Sequence, residues 1–88
     1  MIYTMAAIYD VKAEFYQPPQ FVRSKGEAIR MFKDALNGGD PMMTAHPEDF
    51  KLWYLGEFDA LGGKLLLPHD GKSLIGRGED YKDWESQK

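Results

Sequence analysis

The chain has 88 residues, with 11 lysines and arginines against 14 aspartates and glutamates, a net charge of −3 and no cysteine. That excludes disulfides, thiolate metal sites and a thiol nucleophile, and it argues against coating nucleic acid through bulk positive charge. No apolar run approaches the roughly 20 residues of a helical membrane span and the start lacks the basic-then-apolar order of a leader, so the chain reads as one cytosolic domain.

Ile2–Tyr9 carries β-branched and aromatic residues on both alternating faces, as a central strand does when covered on two sides. A helix can supply one cover, and a second copy of the chain is the expected source of the other. Asp10–Ala13 reads as a turn and Glu14–Tyr16 as a return strand. Pro18-Pro19 interrupts that strand before it resumes at Gln20–Val22, which places it at a sheet edge because proline gives no N–H to a ladder.

Arg23–Gly38 then reads as a full-length helix. Ser24 is a candidate N-cap, Glu27 closes a capping box three residues later, and Asn37-Gly38-Gly39 supplies a left-handed stop. At about 100° per residue, Ala28, Ile29, Met31, Phe32, Ala35 and Leu36 form an apolar arc and Glu27, Arg30, Lys33, Asp34 and Asn37 the polar one.

Residues 38–47 lack periodicity and read as loop, with one short turn at Pro47–Phe50. Lys51–Asp59 is the third strand, expected to place Leu52, Tyr54 and Phe58 on one face and Trp53, Leu55 and Glu57 on the other. Ala60–Gly63 makes a hairpin into Lys64–Leu67, and Pro68 stops that strand. Beyond it there is room for a short strand at Ser73–Ile75, then an acidic end with Tyr81 and Trp84, expected to be mobile or docked elsewhere. The expected fold is α+β: a small antiparallel sheet in β-β-α-β-β order with one amphipathic helix on one face, compact over residues 1–67 and extended over 68–88.

Catalysis finds little support. His46 and His69, with Asp49 and Asp70, suggest a metal or acid–base site only on paper, since loop histidines are usually plain surface residues. Ser24 and Ser73 lack a paired base, and none of the glycine pairs leads a phosphate-cradling loop into a helix. The expectation is no enzyme, no cofactor and no metal.

Charge placement says more. Arg23, Lys25, Arg30 and Lys33 crowd the helix and its entrance, where N-terminal N–H groups also attract phosphate, although a charged helix face is most often only solvated. Tyr3, Tyr9, Tyr16, Trp53 and Tyr54 fit either core and dimer contacts or a stacking surface for single-stranded nucleic acid. The nominated nucleic-acid-binding set is Arg23, Lys25, Arg30, Lys33, Tyr16 and Trp53.

Several blocks together resemble a known family. Tyr9-Asp10-Val11-Lys12-Ala13, Pro18-Pro19-Gln20-Phe21, Arg23–Arg30 with Phe32 and Asp34-Ala35, and His46–Phe50 followed by Leu55–Asp59 look like the small nonstructural protein of gokushoviruses, microvirus-group phages with single-stranded DNA genomes. The similarity runs over roughly residues 2 to 67. It implies an accessory protein made in the cytoplasm of the infected bacterium and absent from the capsid, with DNA binding the role usually attached to it. The leading expectation is a nonenzymatic homodimer that binds single-stranded DNA during genome replication or packaging. The alternative is a homo-oligomeric interaction module that captures a host or phage protein through Tyr81 and Trp84 and never contacts DNA.

Overall fold

Two long strands carry the architecture. In the computed structural model, which describes residues 1–83, β1 (Ile2–Asp10) and β4 (Phe50–Asp59) pair antiparallel along their whole length, from Ile2 opposite Asp59 to Asp10 opposite Phe50. On the outer side of β1 lie β2 (Phe15–Tyr16) and β3 (Gln20–Val22); on the outer side of β4 lie β5 (Lys64–Leu66) and β6 (Ser73–Arg77). All pairings are antiparallel. The four expected strands and the short one at Ser73–Ile75, which is β6, are thus six, because each outer lane is broken once. Pro18-Pro19 breaks the first, as the sequence predicts, and the segment between Leu66 and Ser73, beginning with Leu67 and Pro68, breaks the second.

Helix α1 (Lys25–Asp34) covers one face of this sheet. Ser24 Oγ accepts from the Glu27 N–H at 3.1 Å and Glu27 Oε1 accepts from the Arg23 N–H at 3.1 Å, so the capping box forms with its return bond one residue early. The helical path ends in a wider turn over Ala35–Gly39, where Gly38 takes φ 123°. Phe32 and Leu36 are almost wholly enclosed and, with Ala28, meet Ala6, Val22, Met43, Phe50 and Leu52 in one core.

The expectation of a single helix needs correction. Residues read as loop form α2 (Pro41–Ala45), in which Asp40 Oδ1 accepts from the Met42 and Met43 N–H groups at 3.0 and 3.2 Å and Pro41 fills the first turn. A 3-10 turn follows at Pro47–Asp49, and α3 (Gly78–Tyr81) closes the described chain.

The C-terminal stretch is part of the packing, not an extension from residue 68. After β6 joins β4, the Tyr81 ring meets Phe32 edge-on at 6.0 Å between centroids. Lys82 is only 7% exposed and donates from Nζ to the Leu36 carbonyl at 3.1 Å. Asn37 bridges the same junction, donating from Nδ2 to the Lys33 and Tyr81 carbonyls at 2.8 and 3.2 Å and accepting the Asp83 N–H at 2.7 Å. The last carbonyls of a helix lack intrahelical donors; this segment brings the Lys82 ammonium to that of Leu36, while the Asn37 side chain serves that of Lys33 and ties the segment down. Trp84 lies outside the described residues.

One irregularity decides which way β4 faces. Met5 pairs with Gly56 but Ala6 pairs with Tyr54, leaving Leu55 as a bulged residue. Gly56 has φ 145°, and a Cβ there would sit 2.7 Å from the Leu66 carbonyl oxygen, so glycine is required on both counts. Past the bulge the alternation inverts. Phe58 lies on the face opposite Leu52 and Tyr54, and Glu57 joins theirs, the reverse of the arrangement expected from strict alternation.

Candidate nucleic-acid interface on the open sheet face

All three helices or their anchoring side chains lie on one side of the sheet. Phe32 of α1, Met43 of α2 and Tyr81 of α3 reach the core beside Ala6, Ile8 and Leu52. Directly paired residues project to the same side, so the register identifies what the other side carries. From β1 it receives Tyr3, Met5, Ala7 and Tyr9; from β4, Lys51, Trp53 and Phe58; from the outer lanes, Tyr16, Phe21, Leu65, Leu74 and Arg77. No described helix or strand covers this face; part of the loop between β5 and β6 folds over it, with Pro68 beside Gly56 and Lys72 over Trp53.

Four of its aromatic rings form two touching pairs. Tyr9 and Tyr16 stand 4.6 Å apart between centroids at a 50° tilt, and Phe21 meets Phe58 at 5.6 Å, edge-on. Lys72, from the loop between β5 and β6, holds its Nζ 5.3 Å from the Trp53 ring and 5.7 Å from that of Tyr16, so one cation spans two rings. The Trp53 Nε1–H is buried and has no hydrogen-bond partner among the described residues. Ala7 and Met5 are buried in the furrow between the larger side chains.

Charge is segregated between the two faces. The strand carboxylates Asp10, Glu57 and Asp59 all occupy positions on the helix-bearing side. Two of them are also committed to turns: Asp10 Oδ1 accepts from the Lys12 and Ala13 N–H groups, and Asp59 Oδ1 from those of Leu61 and Gly62. The paired positions of the open face hold no carboxylate, whereas Lys51, Arg77 and the overhanging Lys72 give it three cations. A chain of net −3 therefore carries a locally cationic aromatic surface.

The residues nominated from the sequence divide between the two sides. Tyr16 and Trp53 lie together on the open face under Lys72. Arg23, Lys25, Arg30 and Lys33 are exposed on the helix layer behind the sheet, and Lys25 sets its Nζ 4.3 Å over the ring of Tyr54. The structure does not bring the two groups into one site. Sequence reasoning missed Lys51, Lys72, Arg77, Phe21 and Phe58. The first, third and fourth follow from strand alternation once register is known; Phe58 is hidden by the bulge, and Lys72 lies in a loop without periodicity.

Two other features compare poorly. An apolar cleft of about 230 Å³ opens beside α1 at the break between β2 and β3, over Ala6, Ile8, Val22 and Phe32, but its single charge is Asp40, the cap of α2. It suits an apolar group and repels phosphate. His46, Glu48 and Asp49 bring potential metal-ligating atoms within 4.8 Å of one another, while His69 and Asp70 are not in that group.

The protein comparisons agree with the resemblance read from the sequence. A family model described as Phage ORF5 protein matches residues 3–81, a span that includes β6 and α3. Protein ORF5 of Chlamydia phage 1 is 36% identical over 84 residues, covering 90% of this chain and 88% of that protein. No solved structure matches the chain. The chain belongs to the Phage ORF5 protein family.

Proposed function

We propose that the chain is a nonenzymatic phage accessory protein that binds single-stranded DNA on its open sheet face, in the cytoplasm of the infected bacterium, during genome replication or packaging. The observation that carries this reading is the Tyr16–Trp53 surface bridged by Lys72 and free of strand carboxylates. Every base has a π-face, so such a surface takes bases regardless of sequence, at about 1–3 kcal/mol per stacked base. Bases are available for stacking only when unpaired, which favours single strands over duplex. Lys51, Lys72 and Arg77 are placed to meet the phosphates between them. The cations of α1 point away from this surface and have no part in the reading.

The test is an anisotropy titration of labelled single-stranded oligonucleotides of unrelated sequence at several salt concentrations. With three phosphate contacts the slope of log K against log salt is about −2, and replacing Lys51, Lys72 and Arg77 by glutamine brings it close to zero. Absence of binding even at low salt would exclude the reading. A different observation, the exposed leucines of β5, favours a protein-interaction role and is developed next.

A further inference from the structure

The outer edge of β5 is the least guarded part of the sheet. Among the described residues β5 pairs only with β4, so its other side presents free backbone N–H and C=O groups. The opposite edge of the sheet is protected by Pro18-Pro19, which interrupts any continuous ladder along β2 and β3. On β5 the side chains invite contact: Leu65, Leu66 and the following Leu67 are 60%, 42% and 69% exposed. Together these three expose roughly 300 Å² per copy, and Leu61, 90% exposed, brings the patch to roughly 450 Å², a small interface to which the free strand backbone adds its hydrogen bonds.

We infer that β5 pairs antiparallel with β5 of a second copy, making a homodimer across this edge. Charge selects the partner. The strand's one cation, Lys64, stands in register opposite the Asp59 carboxylate of β4, so the edge carries little net charge to steer an acidic or basic protein toward it. It is, however, complementary to itself. Centred on Leu65, the pairing sets Leu65 against its own copy and Lys64 against Leu66, with no like charges opposed.

A strand that pairs antiparallel with its own copy does so across a two-fold axis perpendicular to the sheet, so the open faces of both copies stay on the same side. Resting on the DNA reading, the dimer then presents one continuous aromatic surface along which a single strand can cross from one copy to the other, gaining the effective concentration of two linked sites.

The mass of the full chain in solution tests the pairing without DNA, so its failure and that of the DNA reading are separate results. Light scattering at micromolar concentration is expected to give twice the 10.1 kDa chain mass. Leu65→Lys sets two ammonium groups against each other across the axis and is expected to give the single-chain mass with unchanged circular dichroism, because the Leu65 side chain is largely in solvent. Gln20→Lys, on the protected edge, is expected to leave the dimer intact. A wild-type chain of 10.1 kDa, a dimer that survives Leu65→Lys with Leu66→Lys, which opposes like charges at every pair, or dissociation by Gln20→Lys would overturn the inference.

Discussion

Replacing Lys82 by methionine removes an ammonium while keeping most of the stem that carries it. Lys82 is 7% exposed, and its Nζ donates to the Leu36 carbonyl at 3.1 Å, at the end of the helical path that packs Phe32 and Leu36 into the core. A hydrogen bond from a charged donor contributes about 1.5–3 kcal/mol. A cation at a helix C-terminus adds about 0.3–1 kcal/mol. Against these stands the desolvation of a buried ammonium, which methionine avoids. The Leu36 carbonyl, left without that donor, retains the cost of its own burial, so the balance is a loss of about 1–3 kcal/mol. With a urea m-value of about 1 kcal/mol/M for so small a domain, the unfolding midpoint falls by roughly 1–3 M. Equilibrium urea unfolding followed by circular dichroism measures this directly. A midpoint equal to wild type would refute the account of residues 81–83 as the clamp on α1, and with it the correction that brings the C-terminal stretch into the domain.

Phe32→Ala empties the centre of the core, where the ring is 1% exposed, and is expected to cost about 3–5 kcal/mol, enough to populate the unfolded chain at room temperature; thermal unfolding reads it. Gly56→Val meets both the positive φ and the nearby Leu66 carbonyl, so a loss above about 2 kcal/mol is expected, with amide exchange rising first in β5. Arg30→Glu with Lys33→Glu, both on the exposed arc of α1, is expected to leave single-stranded DNA affinity within about twofold at physiological salt, where charges behind the sheet are screened; a larger loss in the titration would return the site to the helix.

What the sequence disclosed depended on how local its signal was. The cap of α1 at Ser24 and Glu27, its apolar arc and the break at Pro18-Pro19 are written in neighbouring residues and were legible. The Asp40-Pro41 start of α2 is equally local, but a five-residue helix is too short to show a period. The bulge at Leu55 and Gly56 escapes a reading by strict alternation, and the approach of the Leu66 carbonyl that bars a Cβ at Gly56 comes from another strand and has no local trace. The bulge turned Phe58 to the opposite face. The clamp of Lys82 on Leu36 spans 46 residues of chain and has no local trace at all. For the site, Tyr16 and Trp53 were found by residue type, but which cations share their face is a question of layer, and only register answers it.

Chemical-shift mapping of the isotope-labelled chain with a short single-stranded oligonucleotide tests the central claim most directly, since each amide and the Trp53 indole report separately from the two faces. The account predicts that the largest changes fall on the Trp53 indole and on Tyr9, Tyr16, Lys51, Lys72 and Arg77, with Arg23, Arg30 and Lys33 unmoved. Shifts concentrated along α1, or none on either face at low salt, would contradict it.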